Sequence, residues 1–223
     1  MLLVCDRIDI VVFVFVGATE NNIMEISVIF QIIILVFSVI IHEISHGFMA
    51  LAFGDKTAQY QGRLTLNPIK HIDLFGSIIL PFLLYITHAG FMVGWAKPVP
   101  YNPYNLRNAK IAEPMVALAG PLSNLLVAVI FGLIIRLAPI PSQLVLIFAY
   151  VVLINIALAV FNLVPIPPLD GSKILFSFIP NNRFVFSELA TRYGIFILII
   201  FIVFGAQFLS PIISSLFSLI IGQ

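Results

Sequence analysis

Ile40-Ile41-His42-Glu43-Ile44-Ser45-His46-Gly47 lies inside a segment otherwise built of Ile, Val, Leu and Phe. On a helix, residues four apart share a face and sit about 6 Å from each other. His42 and His46 can therefore bind one metal ion, and Glu43 between them can act as a general base toward water activated by that ion. A five-residue pattern also arises by chance, so its setting has to decide. Here the setting is a lipid-soluble helix, where a central charge costs about 2.5–3.5 kcal/mol on insertion scales. Histidines merely satisfied in a core would each need a partner of their own.

The composition around this stretch fits a lipid environment. Of 223 residues, 61% are hydrophobic and 9% charged, where a soluble domain carries about 25% charged residues. Mean hydropathy is +1.14. Long apolar runs are read as spanning helices. The expected fold class is an all-α integral membrane protein with about five or six membrane helices, a re-entrant segment and short β elements near the active site. The lipid bilayer is its expected surrounding partner, and a net charge of +1 argues against nucleic acid. The single cysteine, Cys5, excludes internal disulfides and cysteine-rich metal sites.

Residues 1–22 form an N-terminal segment of ambiguous structure. Residues 8–16 are apolar but too short to span as a helix, and Arg7 flanked by Asp6 and Asp9 makes a poor secretory signal. Met24 offers an alternative translation start. Residues 23–223 read as one membrane domain. Its first span, residues 23–53, is about 45 Å long against a hydrocarbon core of about 30 Å. With the core starting near Ile26, His42 lies about 24 Å in, nearer the face where the helix ends.

Residues 58–66 suggest extended structure, closed by Asn67-Pro68. Residues 74–93 are apolar but interrupted by Gly76 and Pro81. Residues 94–100, with Pro98 and Pro100, read as an edge-type strand, since proline cannot sit in a central one. A third apolar stretch, residues 111–137, contains Ala119-Gly120-Pro121-Leu122-Ser123-Asn124. Its small residues permit close helix approach, Pro121 would bend it, and Asn124 needs a partner, in packing or at a site. A fourth span, residues 143–162, runs into Asn162-Leu163-Val164-Pro165-Ile166-Pro167-Pro168-Leu169-Asp170-Gly171. Three prolines in four residues forbid a continuing helix, which puts Asp170 on an unwound segment. Irregular backbone at membrane depth is tolerated only when buried in protein or lining a wet cavity, which makes Asp170 a functional candidate. Residues 184–204 and 208–221 are two further apolar stretches without evident chemistry. His71, among Asn67, Lys70 and Asp73, reads as solvated in a surface loop, and His88 as a hydrogen-bonded structural histidine.

Lys and Arg favour cytoplasmic loops. Lys56, Arg63 and Lys70 follow the first span, Lys97, Arg107 and Lys110 follow residues 74–93, and Lys173, Arg183 and Arg192 follow the fourth. This distribution fits an N-terminus outside, with the first and fourth spans running inward and residues 74–93 entering and leaving by the cytoplasmic face. The histidine pair, Asn162 and Asp170 then reach a similar depth. Two imidazole nitrogens and one carboxylate oxygen, with an open fourth position, form a common catalytic zinc arrangement.

These residues together resemble the site-2 protease family of intramembrane zinc metalloproteases. Residues 41–47 look like its first active-site motif, Asn162-Leu163-Val164-Pro165 with Leu169-Asp170-Gly171 like its second, and Ala119-Gly120-Pro121 with Asn124 like the helix motif between them. Residues 58–66 resemble the membrane-associated β element that follows the first motif. The chain resembles the small, single-domain prokaryotic members without a PDZ domain. The resemblance implies that His42, His46 and Asp170 bind one Zn2+, that Glu43 is the general base, and that Asn162 helps hold the substrate or the oxyanion. It further implies a transmembrane protein or peptide as substrate, and the distribution of basic residues places the active site of this multi-pass cell-membrane protein nearer the cytoplasmic face. A substrate helix must unwind before attack, and an exposed edge at residues 58–66 or 95–99 would hold it by β-addition. Competing readings are a transporter or channel with a buried metal or proton site, and a catalytically silent relative.

Overall fold

The computed structural model describes residues 15–16, 28–87, 91–92, 96–178 and 183–222. The chain is helical. Helix α1 (Val28–Ala52) is followed by a single turn, α2 (Thr57–Tyr60). A π turn (Leu74–Ile79) leads into α3 (Leu80–Ile86), and the long helices α4 (Ala109–Leu137) and α5 (Ser142–Asn162) follow. After α6 (Asp170–Ser177) and α7 (Arg183–Ile200), irregular turns lead to α8 (Ser210–Ile221). The two strands among the described residues are the antiparallel pair β1 (Phe15–Val16) and β2 (Phe91–Met92).

Among the described residues, three helices are long and apolar enough to cross a bilayer: Phe30–Ala52, Ala109–Leu137 and Ser142–Asn162. The pair Arg192–Gly205 and Gln207–Ile221, bent by 62°, makes a fourth if it is one span. The described residues thus hold three or four crossings, where the sequence suggested five or six. The two final apolar stretches belong to that one bent pair. The π turn and α3 together reach about 20 Å at helical rise, short of a hydrocarbon core of about 30 Å.

The packing inverts the soluble-protein pattern. On α1, Phe30, Ile33, Phe37 and Phe48 face outward, while Val39, His42, Glu43, His46 and Ala50 are buried along one face at the helical period. That face packs on α4, whose Ala112, Val116, Ala117, Ala119 and Gly120 are also buried. Small side chains let the two backbones approach closely. Helix α4 continues through Pro114 and Pro121 and packs against α5 along its length. Ala128, Val152 and Ile156 form the apolar floor between these helices, closed by Ile213, Leu216 and Ile220 of α8.

Four expectations change here. Residues 96–100, the described part of the expected edge strand, form no strand, because Pro98 and Pro100 lack the N–H groups of a ladder. Residues 58–66 are not extended: Ala58 is inside α2, and turns and bends follow it. Asp170 does not sit in unwound chain but opens α6, directly after the irregular Leu163–Leu169 connection. His71 is buried, 2% exposed, rather than solvated. Its ring Nε2 donates to the Thr65 carbonyl at 2.8 Å, and its own carbonyl accepts from Lys97 N–H at 2.8 Å. His88, residues 1–14 and Met24 lie outside the described residues.

Candidate active site

α1, α4 and α6 converge on one point. His42 Nε2 and His46 Nε2 each lie 3.1 Å from the same oxygen, Asp170 Oδ2. The three ligand-type atoms fall within 4.8 Å of one another, and all three residues are buried. Residues 128 positions apart in sequence therefore meet.

Hydrogen bonding assigns the imidazole protons. His46 Nδ1 is 2.6 Å from the Val116 carbonyl, which can only accept, so His46 donates there from Nδ1. His42 Nδ1 is 2.5 Å from Asn124 Oδ1. The Asn124 amide group is fixed in turn, because its Nδ2 donates to the Ser38 carbonyl and to Asn155 Oδ1. Asn155 Nδ2 donates to Ser38 Oγ and to the Val151 carbonyl. Both histidines thus carry a hydrogen on Nδ1, which leaves Nε2 of each as the ring atom that faces the Asp170 carboxylate oxygen. With Nε2 deprotonated, two nitrogen lone pairs and one carboxylate oxygen form a donor set that suits a divalent cation. Zn–N and Zn–O bonds of about 2.0–2.2 Å at tetrahedral angles would separate ligand atoms by about 3.3 Å, close to the 3.1 Å between each Nε2 and Asp170 Oδ2. The residues present fit zinc, and outward hydrogen bonds of this kind are what orient metal-binding histidines.

α4 is shaped to admit this cluster. A Cβ built on Gly120 would fall 2.5 Å from His42 Nε2 and closer still to His46 Nε2. On the other side Lys173 Nζ lies 3.4 Å from Asp170 Oδ1, one turn along α6, which leaves Oδ2 directed at the histidines. Glu43 is buried beside the cluster, and its Oε2 accepts from Val99 N–H at 2.9 Å. Asn162 is buried at the end of α5, with Nδ2 donating to the Leu158 carbonyl at 2.8 Å. Nδ2 carries two hydrogens, so this bond leaves one for another acceptor.

Glu43, His46, Asn162, Asp170 and Lys173 line a small pocket together with Val99, Tyr101, Val116 and Pro168. Sequence reasoning singled out His42, Glu43, His46, Asn162 and Asp170, and the fold gathers all five. It missed Ser38, Asn155, Lys173 and Val99. Ser38 and Asn155 carried a readable signal, as polar residues within apolar spans. Val99 carried none, because it acts through its backbone.

Comparison with known proteins agrees with this geometry. The model for peptidase family M50 matches residues 135–204, which include Asn162 and Asp170. A Bacillus subtilis protein named "Putative zinc metalloprotease YwhC" is 39% identical over 192 residues, covering 82% of this chain and 81% of the relative. A Methanocaldococcus jannaschii protein, likewise named a putative zinc metalloprotease, is 32% identical and covers 66% and 72%. The chain belongs to peptidase family M50, the site-2 proteases. "Putative zinc metalloprotease Rip2" of Mycobacterium tuberculosis is 34% identical over 140 residues, covering 62% of this chain and 52% of that one. No solved structure matches the chain. As an M50 peptidase with apolar spanning helices, it is an intramembrane zinc metalloprotease acting on protein substrates in a membrane. A transporter or channel is not favoured.

Proposed function

We propose that His42, His46 and Asp170 hold the catalytic zinc, that Glu43 is the general base, and that residues 23–223 form one proteolytic unit cutting transmembrane segments of membrane proteins. The observation that carries this reading is the convergence of two Nε2 atoms on one carboxylate oxygen, each 3.1 Å from it, with Glu43 beside them. Zinc bound there supplies a Lewis acid that polarises the scissile carbonyl and makes water more acidic. The Glu43 carboxylate takes the proton from the attacking water and returns it to the leaving amine. Asn162, at the pocket wall, donates its second N–H to the developing oxyanion. Asn124 and the Val116 carbonyl keep both imidazoles in the ligating tautomer, and Lys173 keeps Asp170 turned toward them.

The same reading extends to topology. The chain resides in the cell membrane as a multi-pass protein, with its active site nearer the cytoplasmic face. Residues 74–93 enter and leave by that face, supported by the shortness of α3 and by the basic residues on both sides of it. Substrate capture by β-addition has no support at the edges first considered. Residues 58–66 are helix and turn, and the N–H groups of Lys97 and Val99 and the carbonyls of Lys97 and Pro98 already have partners within the protein.

The test is metal analysis of the purified protein, followed by cleavage of a model transmembrane substrate in detergent. The wild type should carry one zinc and cleave. Glu43→Gln should keep the zinc and lose cleavage by about 100–10,000-fold. Cleavage persisting in Glu43→Gln would remove the general-base assignment.

A further inference from the structure

Glu43 is gripped by a strap of chain that no strand or helix supports. Pro98 and Pro100 have no N–H, so between them Val99 offers the single backbone donor, and it goes to Glu43 Oε2 at 2.9 Å. The Pro98–Val99 peptide of the strap is held by Arg63, 7% exposed, which follows the turn after α2. Its Nη2 donates to the Lys97 carbonyl at 2.8 Å and to the Pro98 carbonyl at 2.9 Å. The Pro98 carbonyl and the Val99 N–H are the two ends of one peptide group. That group is planar and stiff, so fixing its oxygen aims its hydrogen. A guanidinium on the carbonyl also polarises the amide and strengthens the bond it donates. Burial pulls the Arg63 pKa down, and the Glu43 charge beyond the peptide counteracts this.

We propose that Arg63 is a positioning residue for peptide hydrolysis, orienting the Glu43 carboxylate through the Pro98–Val99 peptide group. His71 supports the same strap, with its carbonyl accepting from Lys97 N–H, but it does not touch the decisive peptide. The inference rests on the reading of Glu43 as the general base. Arg63 acts at a distance, so its loss should lower turnover while leaving zinc and substrate affinity in place.

Four variants test this on the zinc-loaded protein with a model transmembrane substrate in detergent: Arg63→Met, Arg63→Lys, Val99→Pro and the double variant Arg63→Met/Val99→Pro. Zinc content and thermal midpoint are measured alongside. Misaiming a catalytic group by about 1 Å costs on the order of 100-fold. We expect Arg63→Met to lower kcat by about 10–100-fold with KM within about threefold and zinc retained. Arg63→Lys should recover part of the loss, and Val99→Pro, which deletes the N–H, should match Arg63→Met. The double variant should be no worse than the poorer single one, because both cut the same connection. Unchanged kcat in Arg63→Met, multiplying losses in the double variant, or loss of zinc in step with activity would each overturn the proposal. Glu43→Gln separates the two readings. If it still cleaves, the general-base reading fails; if it is inactive while Arg63→Met turns over normally, the positioning role alone fails.

Discussion

His42 shows how much of a metal ligand lies behind it. Its Nδ1 hydrogen is held by Asn124, and Asn124 is held by Ser38 and Asn155, so side chains of three helices set one tautomer. All three of these polar residues are buried where water cannot replace a lost bond. Replacing Asn124 by Leu keeps the branched shape and removes the acceptor, which frees the ring to turn and to carry its proton on either nitrogen. Zinc affinity, read by competition with a chelator, should fall by about 10–100-fold. Affinity equal to the wild type would show that the amide merely packs the helices.

Among the elements, α4 is the one the active site is built against. Its Gly120 leaves the space that the two imidazoles occupy, and its Val116 carbonyl takes the His46 hydrogen. Glycine inside a helix is a weak choice on propensity alone, by about 0.8–1.0 kcal/mol against alanine. Gly120→Ala should therefore leave helix content, measured by circular dichroism, at least as high as in the wild type, yet abolish zinc binding and cleavage. A variant that kept its zinc would mean that α1 and α4 can separate without cost. α6 contributes differently. It begins at Asp170 itself, so the ligand's backbone is anchored by the first helical turn and not by the preceding proline-rich connection.

At the scale of the molecule, the layer between α1 and α4 ties the site to the rest of the chain. Asp55, just past α1, accepts from Thr57, from Asn102 N–H and from Asn105 Nδ2, and joins that layer to the start of the α4 approach. His71 is buried beside the Lys97–Val99 segment that reaches Glu43. Burial holds its pKa below the ordinary 6.5; the Thr65 carbonyl opposes this and the Arg63 charge adds to it. A histidine depressed on folding contributes stability that is fully present above about pH 6.5 and is lost as pH falls through its lower folded value. The thermal midpoint of the wild type should thus exceed that of His71→Gln at pH 7.5, with the gap closing as the pH is lowered below 6.5. A gap constant from pH 7.5 to pH 5 would show that His71 does not titrate with unfolding.

The chemistry of the site was legible in the chain because membrane insertion penalises ionisable groups, so His42, Glu43, His46 and Asp170 stand out from their apolar surroundings. Helical period alone put the two histidines on one face, and the proline cluster marked where α5 had to end. The tertiary structure decided what distance in sequence conceals. It set which acceptors hold the imidazole hydrogens, that His71 is interior, that residues 58–66 coil into a turn, and that Val99 reaches Glu43 by its backbone. A main-chain N–H is the same at every non-proline position, so no pattern of side chains can announce the one that is used. Only the folded path of the chain brings it to its partner.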